Sequence, residues 1–362
     1  MQAQNCSNYP ASWRHLASAT DFLSADYYRR IARALEDGKF HFGFFDDRLA
    51  LPDIFASDHS VALKHGIRVV KMDPIPILAT MAMHTKHLGL AATLSTTYYG
   101  PYHIARTMMT LDHMCAGRAG WNVVTSLNDS EAHNMGATET IQHDRRYDRA
   151  DDMMKSVLDM WNAWQPDAIV CDKQSGLFAD PAKVKRTEHY GEWFRTSGTF
   201  TVPPSPQGHP VIIQAGQSGR GKTFAAEWGE VIFTIQNDME QAKRVRNEMR
   251  AEAEHLGRDP DTLAIAPAFY ITVGETQSIA EDKYAYIDNL AKPEDGLVLL
   301  SEVLNFDFST KQLDEPGDRD EGYAPLQNYA PLQGAVEDDE GDDYDGHLEG
   351  AGESGAGESG HV

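Results

Sequence analysis

The chain has 362 residues, enough for one large domain or two ordinary ones, and its 41% hydrophobic content is enough to bury a core. A net charge of −23 argues against non-specific binding to nucleic acid or an anionic membrane, because phosphate contacts need Lys and Arg. No apolar run approaches the roughly 20 residues of a membrane span, and the N-terminus lacks a signal-peptide pattern.

Residues Met1 to Ala19 are polar and turn-rich. Their Trp13-Arg14-His15 cluster reads equally as a pocket cover or a capping loop. Asp21 to Asp37 reads as a helix, with Tyr27, Ile31 and Leu35 at spacing four and Gly38 as the residue that ends it. Phe40 to Phe45 is a short buried strand that ends in Asp46-Asp47-Arg48, so Asp47 either binds a ligand hydroxyl or caps the next helix. Leu49 to Met72 reads as a long irregular connection. Pro74 to Thr85 is helical, His87 to Ser95 is the next strand, and Thr93 places a hydroxyl inside that strand. Tyr102 to His113 is another helix.

The stretch from Ala116 to Ala150 is the most informative. Gly117 and Gly120 allow close approach, Trp121, Val123 and Val124 form a strand, and Asn122, Thr125 and Ser126 are small polar groups at its end. In a barrel of parallel strands, chemistry sits where strands run out into loops. Asp144 is the expected N-cap of the following helix, on which Ala150, Met153, Met154 and Val157 share a face. His143 and Tyr147 lie four apart, so one helix turn points both at one ligand. The alternative is a strand and helix with no chemistry.

An insertion of mixed character, about 165–205, comes next. Pro210 to Gln214 is then a buried strand that ends in a Gly-rich loop and opens a helix from Thr223 to Trp228. Free N–H groups at a helix N-terminus fit a phosphate monoester, with Ser218 adding a hydroxyl and Arg220 or Lys222 adding charge. A plain turn is the competing reading. Val231 to Ile235 and Leu263 to Val273 are further strands, alternating with helices at Asp238 to Leu256 and Ile279 to Leu290. Repeated βα units predict an α/β protein with a parallel barrel or doubly wound sheet. From about Leu313 the repeated Tyr-Ala-Pro-Leu-Gln, the acidic run and the Gly-Ala-Gly-Glu-Ser repeats predict a disordered tail, 313–362, after a folded unit of 1–312. Cys6, Cys115 and Cys171 are widely spaced and form neither a disulfide framework nor a zinc pattern, which suits a reducing, cytoplasmic compartment. No His-x-His strand pair or comparable metal ligand set occurs.

Four motifs carry a family resemblance: Gly117-Arg-Ala-Gly-Trp-Asn-Val-Val-Thr-Ser126, His143-Asp-Arg-Arg-Tyr-Asp-Arg-Ala150, Ser205-Pro-Gln-Gly-His-Pro-Val-Ile-Ile-Gln-Ala-Gly216 and Thr96-Thr-Tyr-Tyr-Gly-Pro-Tyr-His-Ile-Ala-Arg106. With them the chain resembles the flavin monooxygenases of the bacterial luciferase-like superfamily. The similar branch holds nitrilotriacetate monooxygenase, dibenzothiophene-sulfone monooxygenase, pristinamycin synthase and long-chain alkane monooxygenase. The resemblance runs from about Trp13 to Asp307. It implies a TIM (β/α)8 barrel and reduced FMN delivered by a separate NAD(P)H:flavin reductase. It further implies O2 chemistry through a flavin C4a-(hydro)peroxide, and a homodimer or homotetramer. It carries Asp47, Thr93, His143, Tyr147 and Ser218 over as FMN contacts, with Gly219 and the Arg220 backbone at the phosphate. Asn122 and Ser126 fall at the isoalloxazine ring, and His15 resembles a substrate-side residue.

Family members begin with a strand before the Asn5-Cys6 region and continue past Phe308 through a last strand. The expectation is therefore a barrel incomplete at its first and last strands. Thr125 to Gly136 and Phe178 to Val184 are similar to the sulfone branch, which points to a sulfone or related xenobiotic substrate. Aminopolycarboxylate or alkane oxygenation, an inactive truncated paralogue and a deazaflavin-dependent oxidoreductase are the competing readings.

Overall fold

The computed structural model describes residues 11–217, 219–236 and 238–310. The elements in chain order are α1 (Ala25–Asp37), β1 (Phe42–Phe45), α2 (Ser60–His65), α3 (Pro74–Ala82), β2 (Gly89–Ser95), α4 (Pro101–Met114), β3 (Ala119–Val124), α5 (Asp129–Asn134) and α6 (His143–Trp161). Then come β4 (Ile169–Asp172), β5 (Leu177–Ala179), β6 (Thr187–Tyr190), β7 (Arg195–Gly198), β8 (Val211–Gln214), α7 (Gly219–Trp228), β9 (Val231–Thr234), α8 (Met239–His255), β10 (Ala264–Pro267), α9 (Gln277–Asp288) and α10 (Pro293–Leu304).

Six strands form one parallel sheet in the order β1-β2-β3-β8-β9-β10. The remaining four make two antiparallel hairpins, β4-β5 and β6-β7, in the inserted stretch. The central sheet is curled: Phe44 of β1 and Phe233 of β9 are not on neighbouring strands, yet their rings stack with centroids 6.1 Å apart. Strand alternation sorts the residues. Leu90, Ala92, Leu94, Trp121, Val123 and Ile212 pack outward against the helices in the main core. On the other face Gly120 lies so close to Ala91 and Ile213 that a Cβ on it would sit 3.4 and 3.2 Å from their side chains. This is the α/β barrel architecture expected from the βα pattern, with six strands among the described residues and edges at β1 and β10.

Local chemistry sets the boundaries. Ser24 caps α1 by accepting the Tyr27 N–H, and Tyr28, Ala32 and Leu35 bury the helix. The left-handed residue that turns the chain after α1 is Lys39, at φ 59, and not Gly38, whose φ is −73. The Gln142 side chain, rather than Asp144, caps α6, and the helix begins two residues earlier than expected, at His143. The stretch expected to be an irregular connection contains the short helix α2. The last strand is shorter than its hydrophobic run: β10 stops at Pro267, and Phe269, Tyr270, Ile271 and Val273 are exposed beyond it. The Ala268 N–H makes one more bond to the Thr234 carbonyl, at 2.7 Å, before the chain leaves the sheet. The tail after 312 and the Asn5-Cys6 region lie outside the described residues.

Trp121 is fully buried, meets Trp161 of α6 edge to face at 6.2 Å, and donates its indole N–H to the Leu94 carbonyl at 3.1 Å. It thereby joins β2, β3 and α6. Trp121→Ala should cost about 3–5 kcal/mol, read as a lower midpoint in urea denaturation of the full chain.

Candidate active site

The polar residues at the C-terminal ends of β1, β2, β3 and β8 converge on one mouth of the barrel. Thr93 and Asn122 are register partners on neighbouring strands, and the Asn122 amide donates to the Thr93 hydroxyl at 2.9 Å. The side-chain carbonyl oxygen of Asn122 is buried with no hydrogen-bond partner among the described residues. A buried acceptor left open implies a donor that comes from elsewhere. Ser126, just past β3, holds a left-handed backbone at φ 56, which is unusual for a residue with a side chain. Its hydroxyl donates to Ser95 at 2.9 Å, and the Thr97 hydroxyl donates to the Thr125 carbonyl at 2.6 Å. These bonds tie the ends of β2 and β3 together.

Two helix N-termini meet beside β8. His143 and Tyr147 share one face of α6, with their rings edge to face at 5.2 Å, and Tyr147 packs on Phe224 of α7 at 5.5 Å. Gln214 and Thr125 stand beside the Tyr147 hydroxyl, and burial pushes its phenol up from the usual value. A Cβ on Gly221 would lie 2.7 Å from the Tyr147 oxygen, and one on Gly216 would overlap the Gly221 carbonyl. Gly219 takes a left-handed φ of 50 as α7 opens. The first turn of α7 therefore lies against Tyr147 with no side chain between them. Its free N–H groups and dipole fit a phosphate. Arg220, which with Lys222 is an expected source of charge, is engaged by carboxylates. It is ion-paired to Asp151 and, at 3.6 Å, to Asp148, both on α6, while Trp228 donates to Asp151 at 2.7 Å. Ser218 lies outside the described residues.

Asp47 lines a cavity of about 380 Å³ with Arg48, Arg68, Lys71, Tyr99 and Asn134. Its carboxylate accepts the Arg48 N–H at 2.9 Å, and desolvation pushes its pKa up to about 7. His15 is elsewhere: it lines a second cavity of about 300 Å³ with Ile271, Val273, Tyr286 and Ile287. Its Nδ1 accepts the Ala17 N–H at 3.0 Å, which leaves Nε2 as the ring's donor. The arrangement thus brings Thr93, Asn122 and Ser126 together at the strand ends, and His143, Tyr147 and Gly219 at the helix ends. Thr125, named with the polar groups at the end of β3, stands beside the Tyr147 hydroxyl, whereas Gln214, also beside it, and Gly216 and Gly221, which set its distance from α7, are not singled out by sequence as site residues. Gln214 and Gly216 lie in a quoted motif, and their offset from the strand end is the signal that points to them. Among the described residues no group of three His, Cys, Asp or Glu side chains converges to hold a metal.

A carboxyl whose folded pKa lies above its unfolded value binds more protons folded than unfolded between the two values. Stability therefore falls as pH rises through that window. Asp47→Asn should remove this loss and gain roughly 2–4 kcal/mol relative to the parent between about pH 4 and about pH 7, measured by denaturation at a series of pH values.

A model of the luciferase-like monooxygenase family matches residues 6–348. Dibenzothiophene-sulfone monooxygenase of Rhodococcus erythropolis is 45% identical over 316 residues, which cover 87% of this chain and 70% of that protein. Nitrilotriacetate monooxygenase component A of Aminobacter aminovorans is 38% identical over 313 residues, covering 85% of this chain and 68% of that protein. The crystal structure of riboflavin lyase (RcaE) with modified FMN and substrate riboflavin superimposes with a TM-score of 0.83 at 35% identity, over 87% of this chain and 71% of that one. With most of its length matched at this identity and in this fold, the chain belongs to the luciferase-like monooxygenase family.

Proposed function

We propose that the chain is the oxygenase of a two-component system. It takes reduced FMN from a separate NAD(P)H:flavin reductase and uses O2 to oxygenate a small organosulfur compound, a sulfone or related xenobiotic. The observation that carries this reading is the pairing, at one barrel mouth, of an anion cradle with an open buried acceptor. The α7 N-terminus lies against Tyr147 with no side chain between them, and the Asn122 side-chain oxygen has no partner among the described residues. A phosphate at one end and a polar ring bearing N–H groups at the other match those two features. The 45% identity to dibenzothiophene-sulfone monooxygenase favours the sulfone class.

The residues present fit FMN. The backbone N–H groups of Gly219, Arg220 and Gly221 would hold the phosphate, with His143 and Tyr147 beside it. Thr93, Asn122, Ser126 and Asp47 would face the ring system. When bound, the reduced flavin supplies the activation of O2 from which one oxygen atom passes to the substrate. The chain positions the two reactants and keeps the mouth dry: Thr93 and Asn122 are 3% and 5% exposed before anything binds. The working unit is 1–312, in a cytoplasmic homodimer or homotetramer. An aminopolycarboxylate substrate is a second reading, and the observation that favours it is the row of cations lining the Asp47 cavity.

The test is turnover of the purified chain with a flavin reductase, FMN, NADH and a panel holding a dibenzothiophene-type sulfone and nitrilotriacetate, with products read by mass spectrometry. An added oxygen or a cleaved C–S or C–N bond is expected. Gly221→Ala and Tyr147→Phe should each weaken flavin binding about tenfold or more, because each disturbs one face of the cradle. Oxygenated product that is unaffected by either substitution would remove the cradle from the site. A working reductase with no product from any panel member would sink the substrate assignment.

A further inference from the structure

We propose that Glu131 and Asn134 of α5 are positioning residues: they clasp the backbone after β1 to the backbone after β3, and so set Asp47 and Ser126 relative to each other across the mouth. The clasp rests on the oxygenase reading only in taking those two residues as flavin contacts. Glu131 is buried, at 3% exposure. Its Oε1 accepts the Leu49 N–H at 3.2 Å, and its Oε2 accepts the Leu127 N–H at 3.3 Å. Leu49 follows closely on Asp47, and Leu127 is next to Ser126. One turn further along α5, the Asn134 amide donates to the Leu49 carbonyl at 2.9 Å. Both backbone polar groups of Leu49 are thus taken by side chains of one short helix, 82 and 85 positions away. Ser130 adds a third grip on the same loop, donating to Asp53.

With six residues, α5 is too short to persist as an isolated helix, and its N-cap residue Asn128 makes no side-chain cap bond. The bonds to the β1 loop therefore hold α5 as much as α5 holds the loop. On the far side, Ser126 keeps its left-handed φ of 56, a conformation that persists only where its surroundings fix it. The very next N–H, on Leu127, is the one that Glu131 takes. On the near side, the Arg48 N–H is held by Asp47 at 2.9 Å, so the chain is tied from the Asp47 carboxylate to the Glu131 carboxylate within three residues. Leu49 and Asn134 also line the cavity beside Asp47, which makes the clasp part of its wall. A carboxylate is the group this arrangement needs, because it offers one acceptor oxygen to each loop. A glutamine of the same shape has a single oxygen, and it turns an amide donor toward the other N–H.

The experiment is amide hydrogen exchange of the full chain, read on segments 46–51, 125–130 and 88–95, together with the Kd for oxidised FMN from flavin fluorescence. Glu131→Gln and Asn134→Ala should each speed exchange about tenfold in both loop segments, leave 88–95 in β2 unchanged, and weaken FMN binding about fivefold. Asn134 is exposed, so Asn134→Ala carries the test even if Glu131→Gln fails to fold. Asn162→Ala removes the same kind of bond elsewhere, from an exposed amide to the Leu158 carbonyl at 2.9 Å, and should change none of these quantities. Faster exchange in 46–51 alone would mean that the two loops are not coupled, and would overturn the clasp. Faster exchange in both loops with unchanged FMN affinity would make α5 structural only and overturn the positioning role. A parent chain that binds no FMN, with both loops loosened in each variant, would sink the oxygenase reading and support the clasp. FMN binding and sulfone turnover with exchange unaltered in both variants would do the reverse.

Discussion

Asp112 is the buried charge on which the arrangement of the barrel depends. It is fully buried on α4, and its carboxylate accepts the Ala119 N–H at 2.8 Å, the Gln207 amide at 2.7 Å and the Ser205 hydroxyl. Left unpaired, such a charge would cost several kcal/mol. Its partners are the first residue of β3 and the segment that leads into β8. Those strands are neighbours in the sheet, although the inserted hairpins separate them in sequence. Satisfying one carboxylate therefore brings the chain back into register after its longest excursion. The pairing of Asn122 with Ile213, and the bond from the Gln214 amide to the Val123 carbonyl at 3.4 Å, follow from that register.

The excursion is anchored in the same way. Asp152 of α6 accepts the Trp193 and Phe194 N–H groups at 2.7 and 2.9 Å and meets His189 at 2.5 Å. These bonds hold its carboxyl below the usual range despite burial. One long helix thus carries the hairpins by Asp152, the sheet by Trp161 and the N-terminus of α7 by Tyr147 and Asp151. The mouth of the barrel inherits its geometry from α6 more than from the loops that surround it.

Much of this is legible in the residues themselves. The alternation of short apolar strands with amphipathic helices gives the parallel sheet, and the family motifs fall on the strand ends and helix starts that form the mouth. What escapes a reading of the sequence depends on contacts distant along the chain. Nothing local marks Arg220 as a partner of Asp151, 69 positions away, so sequence alone assigns its charge to a ligand. Arg68 and Lys71 lie in a stretch without periodicity, and only the fold brings them beside Arg48. The positive φ of Lys39 escapes because a neighbouring glycine is the more economical guess.

The ion pairs that occupy Arg220 also govern how the cradle on α7 meets an anion. With that guanidinium held by Asp148 and Asp151, its full charge is not available, and the grip rests more heavily on backbone dipoles. Dipoles act over a short range and do little to draw a dianion from a distance toward a chain as acidic as this one. An anion at this helix end would be gripped only at close range and would gain little from long-range steering.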